Sequence, residues 1–128
     1  MPSLPLVDID QGFYRQFTEL KSQNPQLKTM LAVGGYADSN IDDKYSQLVS
    51  SKRNIDRFVR SAVKLLTNYD FDGLDVDWEY PKSDADKIGF TNLLVALKKA
   101  FAENKFLLSA AAPCIVLNTR MAIILSTA

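Results

Sequence analysis

The sequence predicts an α/β fold built from parallel βαβ units, and three observations support this prediction. Two long stretches, Ser51 to Tyr69 and Asp86 to Glu103, carry apolar residues at helical spacing. Short apolar runs at Leu27 to Val33, Phe71 to Trp78 and Phe106 to Ala112 predict buried strands. Because strands alternate with helices of crossover length, the strands are expected to be parallel with right-handed connections.

Local signals assign the other segments. Asp10 to Gln23 predicts an amphipathic helix that ends before Pro25, with an apolar face of Phe13, Phe17 and Leu20. Polar residues 36–50 predict a loop or a short irregular turn of helix, after which Ser51 is a candidate N-cap. Residues 115–128 predict a fourth strand or a disordered tail. The side chains expected to be largely buried against the sheet are Phe58, Leu65, Leu94, Leu97 and Phe101.

Composition excludes several classes of protein and site. The 128 residues, 47% of them hydrophobic, allow one globular domain at most. Fifteen basic residues balance fifteen acidic ones without clustering, so neither nucleic acid nor a membrane is an expected partner. With no histidine, Ser-His-Asp catalysis and imidazole metal sites are excluded, and no metal or cofactor is predicted. Cys114 is the single cysteine, so no disulfide within the chain is expected.

The opening residues, MPSLPLVDID, have neither a basic leader nor a long apolar core. They therefore predict no secretory signal in this chain, although a natural precursor could carry one upstream. No apolar stretch approaches the roughly 20 residues of a membrane span.

The acids Asp75, Asp77 and Glu79 alternate with apolar residues, among them Trp78. In a strand this spacing places all three carboxylates on one face, with successive ones about 6 to 7 Å apart. Acids are poor strand formers and costly to bury as charges, so stability does not explain the pattern. The arrangement favours an acid with a raised pKa beside a second charged group.

Two other interpretations of the acidic strand remain open at this point. A solvated face alternating with a buried one is common in antiparallel sheets but unusual in a parallel strand covered on both sides. Carboxylates at i and i+2 also hold magnesium in phosphotransferases with a DxDx[TV] motif. Here Trp78 and Glu79 follow the acid pair, and the sequence has no Gly-rich phosphate loop.

The segment 72–81, DGLDVDWEYP, resembles the DxxDxDxE signature of family 18 glycoside hydrolases, the chitinases and their non-catalytic relatives. The segment 31–36, LAVGGY, is similar to that family's second marker, and the resemblance covers roughly residues 6 to 113. It implies a partial (β/α)8 TIM barrel of about three to four βα units, where a complete barrel has eight units and about 250 residues. Residues 1–128 are thus expected to be a fragment of one catalytic-type barrel, with residues 114–128 as a divergent tail.

The resemblance implies catalytic roles for the three acids. Glu79 would be the general acid that protonates the glycosidic oxygen and later the base toward water. Asp77 would orient the substrate's acetamido group, whose carbonyl oxygen attacks the anomeric carbon in place of an enzyme nucleophile. Asp75 would be a buried partner that exchanges a proton or hydrogen bond with Asp77.

The resemblance also implies substrate-binding residues. Gly34 and Gly35 would let the backbone approach the sugar, although a role as a strand-exit turn explains them equally well. Tyr36 and Tyr80 would line the sugar site, because aromatic rings suit the apolar faces of pyranose rings. The family more often has Trp where this chain has Tyr36.

The activity implied is hydrolysis of β-1,4-linked N-acetylglucosamine polymers, with chitin or its oligosaccharides as partners and an extracellular location. As a fragment the chain is expected to be impaired. The main alternative is a non-catalytic chitin-binding protein, since many relatives keep the barrel and lose the acid. A structural or signalling fragment with no sugar site is the third. An isolated half barrel would also present two open sheet edges and an apolar inner face.

Overall fold

The computed structural model describes residues 12–114 and 119–125, with side chains for residues 12–111. Its helices are α1 (Phe13–Thr18), α2 (Leu20–Gln23), α3 (Tyr36–Ser39), α4 (Lys44–Val49), α5 (Lys52–Tyr69) and α6 (Asp84–Asn104). Its strands are β1 (Met30–Gly34), β2 (Gly73–Asp77), β3 (Leu107–Cys114) and β4 (Thr119–Leu125).

The strands form one sheet in the order β1-β2-β3-β4. The first three are parallel, which confirms the prediction of βαβ units. β4 pairs antiparallel with β3, in a register that joins Leu108 to Leu125 and Cys114 to Thr119. Only residues 115–118 separate these two strands, and a parallel connection needs a dozen or more residues. The reversal of direction therefore follows from the short connection.

Helix α5 begins and ends as its sequence predicts. The hydroxyl of Ser51 accepts a hydrogen bond from the Asn54 N–H at 3.2 Å, which satisfies one backbone donor at the helix N-terminus. The helix ends at Asp70, whose left-handed backbone conformation (φ 61°) turns the chain toward β2. The predicted N-cap is confirmed.

Helix α6 begins at Asp84, two residues before the predicted start, because Ser83 caps it through the Asp86 N–H at 3.0 Å. Of the predicted core residues, Phe58 on α5 and Leu97 and Phe101 on α6 are buried. Leu65 and Leu94 are only partly buried and pack against the edge of the core. The prediction of two amphipathic helices on the sheet holds, with a narrower buried stripe than expected.

Residues 36–50 contain two short helices, α3 and α4, where a loop or a short irregular turn of helix was predicted. Tyr45, Leu48 and Val49 on α4 are buried in the core. Such short helices have little stability of their own, so burial of this apolar face holds α4 in place. Gly89 on α6 allows close contact, since a Cβ there would lie 2.5 Å from Cγ2 of Val49.

The first helical segment turns a different face to the core from the one predicted. Phe13, Phe17 and Leu20 are exposed, whereas Tyr14 and Thr18 are buried. The ring of Tyr14 makes edge contacts with both Tyr69 and Phe71, each at a centroid distance of 5.5 Å. The Thr18 hydroxyl is satisfied by donating to the Tyr14 carbonyl at 3.1 Å. The prediction that this apolar face packs on the core was therefore wrong, because the face is exposed. Residues 10 and 11 of this prediction lie outside the described residues.

Candidate active site

The three predicted acids lie at and beyond the C-terminal end of β2. Asp75 and Asp77 are half-buried on one face of the strand, and the alternating Leu74 and Val76 are buried on the other. β2 ends at Asp77, so Glu79 follows two residues after the strand, where it is buried with 7% of its surface exposed. Residues 75–79 thus place one buried carboxyl group and two half-buried ones at the C-terminal end of β2.

Asp75 has a hydrogen-bond partner that sequence reasoning did not single out. The hydroxyl of Ser109 donates to Oδ1 of Asp75 at 2.7 Å. The two residues are paired across the parallel β2-β3 ladder, so the register itself sets this contact. A lone serine among the apolar residues of a predicted buried strand is the signal that could have identified it.

Gly34 and Gly35 form the turn at which β1 ends, with φ values of 112° and 87° that favour glycine. A Cβ on Gly34 would lie 2.3 Å from the Asp77 carbonyl oxygen. The Gly35 N–H donates to that same oxygen at 2.7 Å. The pair therefore brings the end of β1 against the acidic strand end, and its approach to a sugar stays a prediction.

The two predicted sugar-lining tyrosines have different surroundings. Tyr36 begins α3 with 72% of its surface exposed, whereas Tyr80 is half-buried after a cis peptide bond from Glu79. Glu79 and Tyr80 line a cavity of about 250 Å³ together with Trp78 and several residues between 39 and 46. Tyr36 is not among the residues that line this cavity, and its contact with a sugar stays a prediction.

Two side chains from α3 and its C-terminal end contact the backbone around Glu79. The Glu79 N–H donates to the Ser39 hydroxyl oxygen at 2.9 Å, and the Ser39 hydroxyl reaches the Asp77 carbonyl oxygen at 3.4 Å. The Asn40 amide donates to the Glu79 carbonyl oxygen at 3.2 Å and to the Tyr36 carbonyl oxygen at 2.6 Å. Neither Ser39 nor Asn40 was predicted as a site residue, because nothing in a polar loop sequence marks these contacts.

Trp78, which alternates with Asp77 and Glu79, packs against helices. Its ring stacks on that of Tyr45 at 5.7 Å and makes an edge contact with Phe90 at 5.7 Å. Burial, the hydrogen bond to Asp38 and the negative charges of Asp38 and Asp77 raise the pKa of Tyr45, which stays a neutral phenol. A neutral aromatic ring therefore supports the residue between Asp77 and Glu79.

Asp38 anchors Tyr45 from the other end. Its carboxylate accepts hydrogen bonds from the Tyr45 hydroxyl and from Nζ of Lys44, each at 2.5 Å. Burial favours the neutral carboxyl group, but these hydrogen bonds and the Lys44 charge outweigh it and hold the pKa of Asp38 below its ordinary 3.8. Asp38 is thus an ionised acceptor that fixes both side chains.

The lowered pKa of Asp38 predicts a stability difference that depends on pH. A depressed folded-state pKa gives stability that is present above 3.8 and lost as the pH falls through the folded value. We expect Asp38→Asn to lower the melting temperature at about pH 6. The loss in free energy of unfolding should be no more than about 1 kcal/mol, because the side chain is partly exposed. The deficit should shrink below pH 3.8.

Thermal melts of both proteins across this range, followed by circular dichroism, measure the effect. Asp84→Asn is the control, since the Asp84 side chain is 98% exposed. An Asp38→Asn deficit of equal size at about pH 3 and about pH 6 would contradict the assignment.

Among the side chains that the structure describes, those of residues 12–111, no group of three or more Cys, Asp or Glu has an arrangement that could hold a metal ion. In the same part of the chain, no helix combines the length and apolar character needed to cross a membrane.

Comparison with known proteins identifies the family. The sequence model of Glycosyl hydrolases family 18 matches residues 4–125. The chain belongs to this family. It is 45% identical over 103 residues to an endochitinase of Manduca sexta, covering 76% of this chain and 18% of the relative. It is 40% identical over 115 residues to chitotriosidase-1 of Mus musculus, covering 81% of this chain and 24% of the relative.

Solved structures of the family agree with the fold. A Group IV chitinase of Ostrinia furnacalis, solved in complex with allosamidin, superposes with a TM-score of 0.81 at 35% identity, covering 90% of this chain and 32% of that one. Catalytic domain 2 of that species' Group II chitinase gives 0.77 at 43% identity, covering 84% and 30%, and was solved with a (NAG)5 oligosaccharide. This family 18 chain spans less than a third of each relative named here.

Proposed function

We propose that this family 18 chain is the acid-bearing part of a chitinase-type hydrolase that acts on β-1,4-linked N-acetylglucosamine polymers. One observation carries the proposal: Glu79 is a buried carboxyl group two residues beyond Asp77, at the C-terminal end of a parallel strand. Active sites of (β/α)8 barrels lie at this end of the strands. The three parallel strands with their helices are accordingly part of such a barrel.

In the proposed reaction, Glu79 donates its proton to the glycosidic oxygen as the bond to the anomeric carbon breaks. The substrate's acetamido carbonyl oxygen forms the new bond to that carbon, and Asp77 orients the acetamido group. Water then attacks the anomeric carbon from the side that the leaving sugar vacated and displaces the acetamido oxygen from it, while Glu79 takes the proton of the attacking water as base. Two displacements at one carbon retain its configuration.

The remaining predicted residues support these steps. Asp75, fixed by the Ser109 hydroxyl at 2.7 Å, supplies a charge or a proton next to Asp77 on the same strand face. Tyr36 and Tyr80 receive the sugar rings, and the Gly34-Gly35 turn leaves room for them. Acting on a polysaccharide outside the cell, the protein has an extracellular location.

A non-catalytic sugar-binding role is the second candidate. Among the relatives are proteins named imaginal disk growth factor 6, at 37% identity, and chitinase-like protein EN03, at 38% identity. The exposed Tyr36 would serve binding without turnover equally well. Thermal shift with chitin oligosaccharides detects this role, because a binder is stabilised by its ligand whether or not it hydrolyses it.

Hydrolysis of a fluorogenic chitobioside tests the catalytic proposal. We expect the 128-residue chain to be slower than the intact Manduca sexta endochitinase by at least about 10²-fold, because the chain spans 18% of it and positioning of the sugar depends on the whole wall of the site. Release of the fluorophore by both proteins at equal molarity measures the ratio. Equal rates would show that the residues present here position the sugar alone. Stabilisation by oligosaccharides without any turnover would favour the binding role.

A further inference from the structure

We propose that Ser39 is a positioning residue for the catalytic acid: it holds the main chain on both sides of Trp78 and so sets where the Glu79 carboxyl group lies. The inference rests on the proposed function, in which Glu79 is the proton donor. It adds a residue from another element of the fold to that site.

Contacts of both its backbone and its side chain hold Ser39 in place. It is the last residue of α3, it is buried, and its N–H donates to the Gly35 carbonyl oxygen at 2.9 Å. Its side-chain oxygen accepts from the Glu79 N–H at 2.9 Å and contacts the Asp77 carbonyl oxygen at 3.4 Å. One hydroxyl group thus contacts the backbone of both Asp77 and Glu79.

The need for such a contact follows from where β2 ends. Residues up to Asp77 pair with Gly34 and its predecessors on β1, and Glu79 lies beyond that ladder. Its N–H is buried, and a buried donor without a partner costs about 1 to 3 kcal/mol. The Ser39 hydroxyl takes the place of the missing strand partner, so the path of the chain at Glu79 depends on it.

Two further contacts from the same region, residues 36–45, support this path. The Asn40 amide binds the Glu79 carbonyl oxygen at 3.2 Å, so both peptide groups of Glu79 are contacted from α3 and the residue after it. The Tyr45 ring, held by Asp38, stacks on the Trp78 ring at 5.7 Å. The Trp78 ring and the Glu79 backbone are therefore both held by residues 36–45.

The experiment uses the full 128-residue chain with Ser39→Ala, Ser39→Thr and Ser50→Ala. Ser39→Ala removes the hydroxyl, and Ser39→Thr restores it. Ser50→Ala is the matched control, because Ser50 also donates to a backbone carbonyl, that of Gln47 at 2.6 Å, but on the surface. Thermal melts establish that each variant is folded. The ¹³C chemical shift of the Glu79 carboxyl is compared at one pH, and kcat and KM are measured with the chitobioside.

We expect Ser39→Ala to lower kcat about tenfold, with KM changed less than about twofold, and to change the ¹³C chemical shift of the Glu79 carboxyl. Ser39→Thr and Ser50→Ala should keep the original kcat and chemical shift. Asn40→Ala, at an exposed residue, should lower kcat by less, and it supplies the test if Ser39→Ala does not fold.

A folded Ser39→Ala chain with an unchanged Glu79 chemical shift and unchanged kcat would overturn the proposal and leave Ser39 a structural role only. Glu79→Gln separates this failure from failure of the proposed function. If Glu79→Gln retains turnover, Glu79 is not the acid, while the Glu79 chemical shifts in the Ser39 variants still decide whether Ser39 positions its carboxyl group. Where turnover of the unsubstituted chain is below detection, the chemical shift alone decides.

Discussion

Glu79→Gln is expected to reduce hydrolysis of the chitobioside by about 10²- to 10⁴-fold while leaving oligosaccharide affinity nearly unchanged. The amide keeps the shape of the buried side chain, but its N–H groups are too weakly acidic to transfer a proton to the glycosidic oxygen. The strongest form of the test places residues 12–111 into the corresponding region of the Ostrinia furnacalis Group II catalytic domain 2, which supplies the rest of the site. Steady-state kinetics and calorimetric titration with an oligosaccharide measure the two effects separately.

Glu103→Gln in the same chimera is the matched control, because it makes the same chemical change at an exposed position near the end of α6. Its rate should equal that of the unsubstituted chimera. Unchanged turnover in the Glu79→Gln chimera would remove Glu79 from its role. Loss of both turnover and binding would instead show that the Glu79 carboxylate holds the sugar.

Phe101→Ala is expected to have the largest effect on stability, lowering the free energy of unfolding by about 3 to 5 kcal/mol. Phe101 on α6 has 0% of its surface exposed, and its ring meets the Phe106 ring edge-on at 5.6 Å. The substitution removes buried surface and leaves a cavity where helix and sheet meet. Urea unfolding followed by circular dichroism measures the change.

Phe17→Ala serves as its control, since Phe17 has 49% of its surface exposed and makes a looser ring contact with Phe71 at 6.4 Å. Its cost should be below about 1.5 kcal/mol. Comparable losses for the two phenylalanines would mean that α1 belongs to the core as much as α6 does.

The long elements of the fold could be predicted because their signals are local. Helix α5 has a serine N-cap and apolar residues at spacings of three and four, and both survive in the structure. The strands were equally predictable as short apolar runs between helices. Family resemblance added the barrel, which no local pattern contains.

Where prediction failed, contacts distant in sequence decided the outcome. The buried face of α1 depends on Tyr69 and Phe71, which lie more than fifty residues away along the chain. Helix α4 is held by burial, and the spacing of Tyr45, Leu48 and Val49 at i, i+3 and i+4 was the signal that could have found it.

In the candidate site, too, the residues with a local signal were predictable, and those that depend on contacts distant in sequence were not. Asp75, Asp77 and Glu79 were predicted from their alternate positions in the sequence, although Glu79 lies two residues beyond the end of β2. The contact of Ser39 with the Glu79 N–H joins residues 40 positions apart, and a serine in a polar loop carries no mark of it. The acids are therefore visible in the sequence, while the groups that hold them emerge only with the fold.

The antiparallel pairing of β4 creates a competition for the outer edge of β3. Seven residue pairs, from Leu108 with Leu125 to Cys114 with Thr119, occupy the backbone donors and acceptors that a further parallel strand would use. Any segment that extends the parallel series, whether from the same polypeptide or from another, must first displace β4. Association would then depend both on the fraction of molecules in which β4 has opened and on the concentration of the incoming strand, because a hairpin re-forms in about 1 to 10 μs.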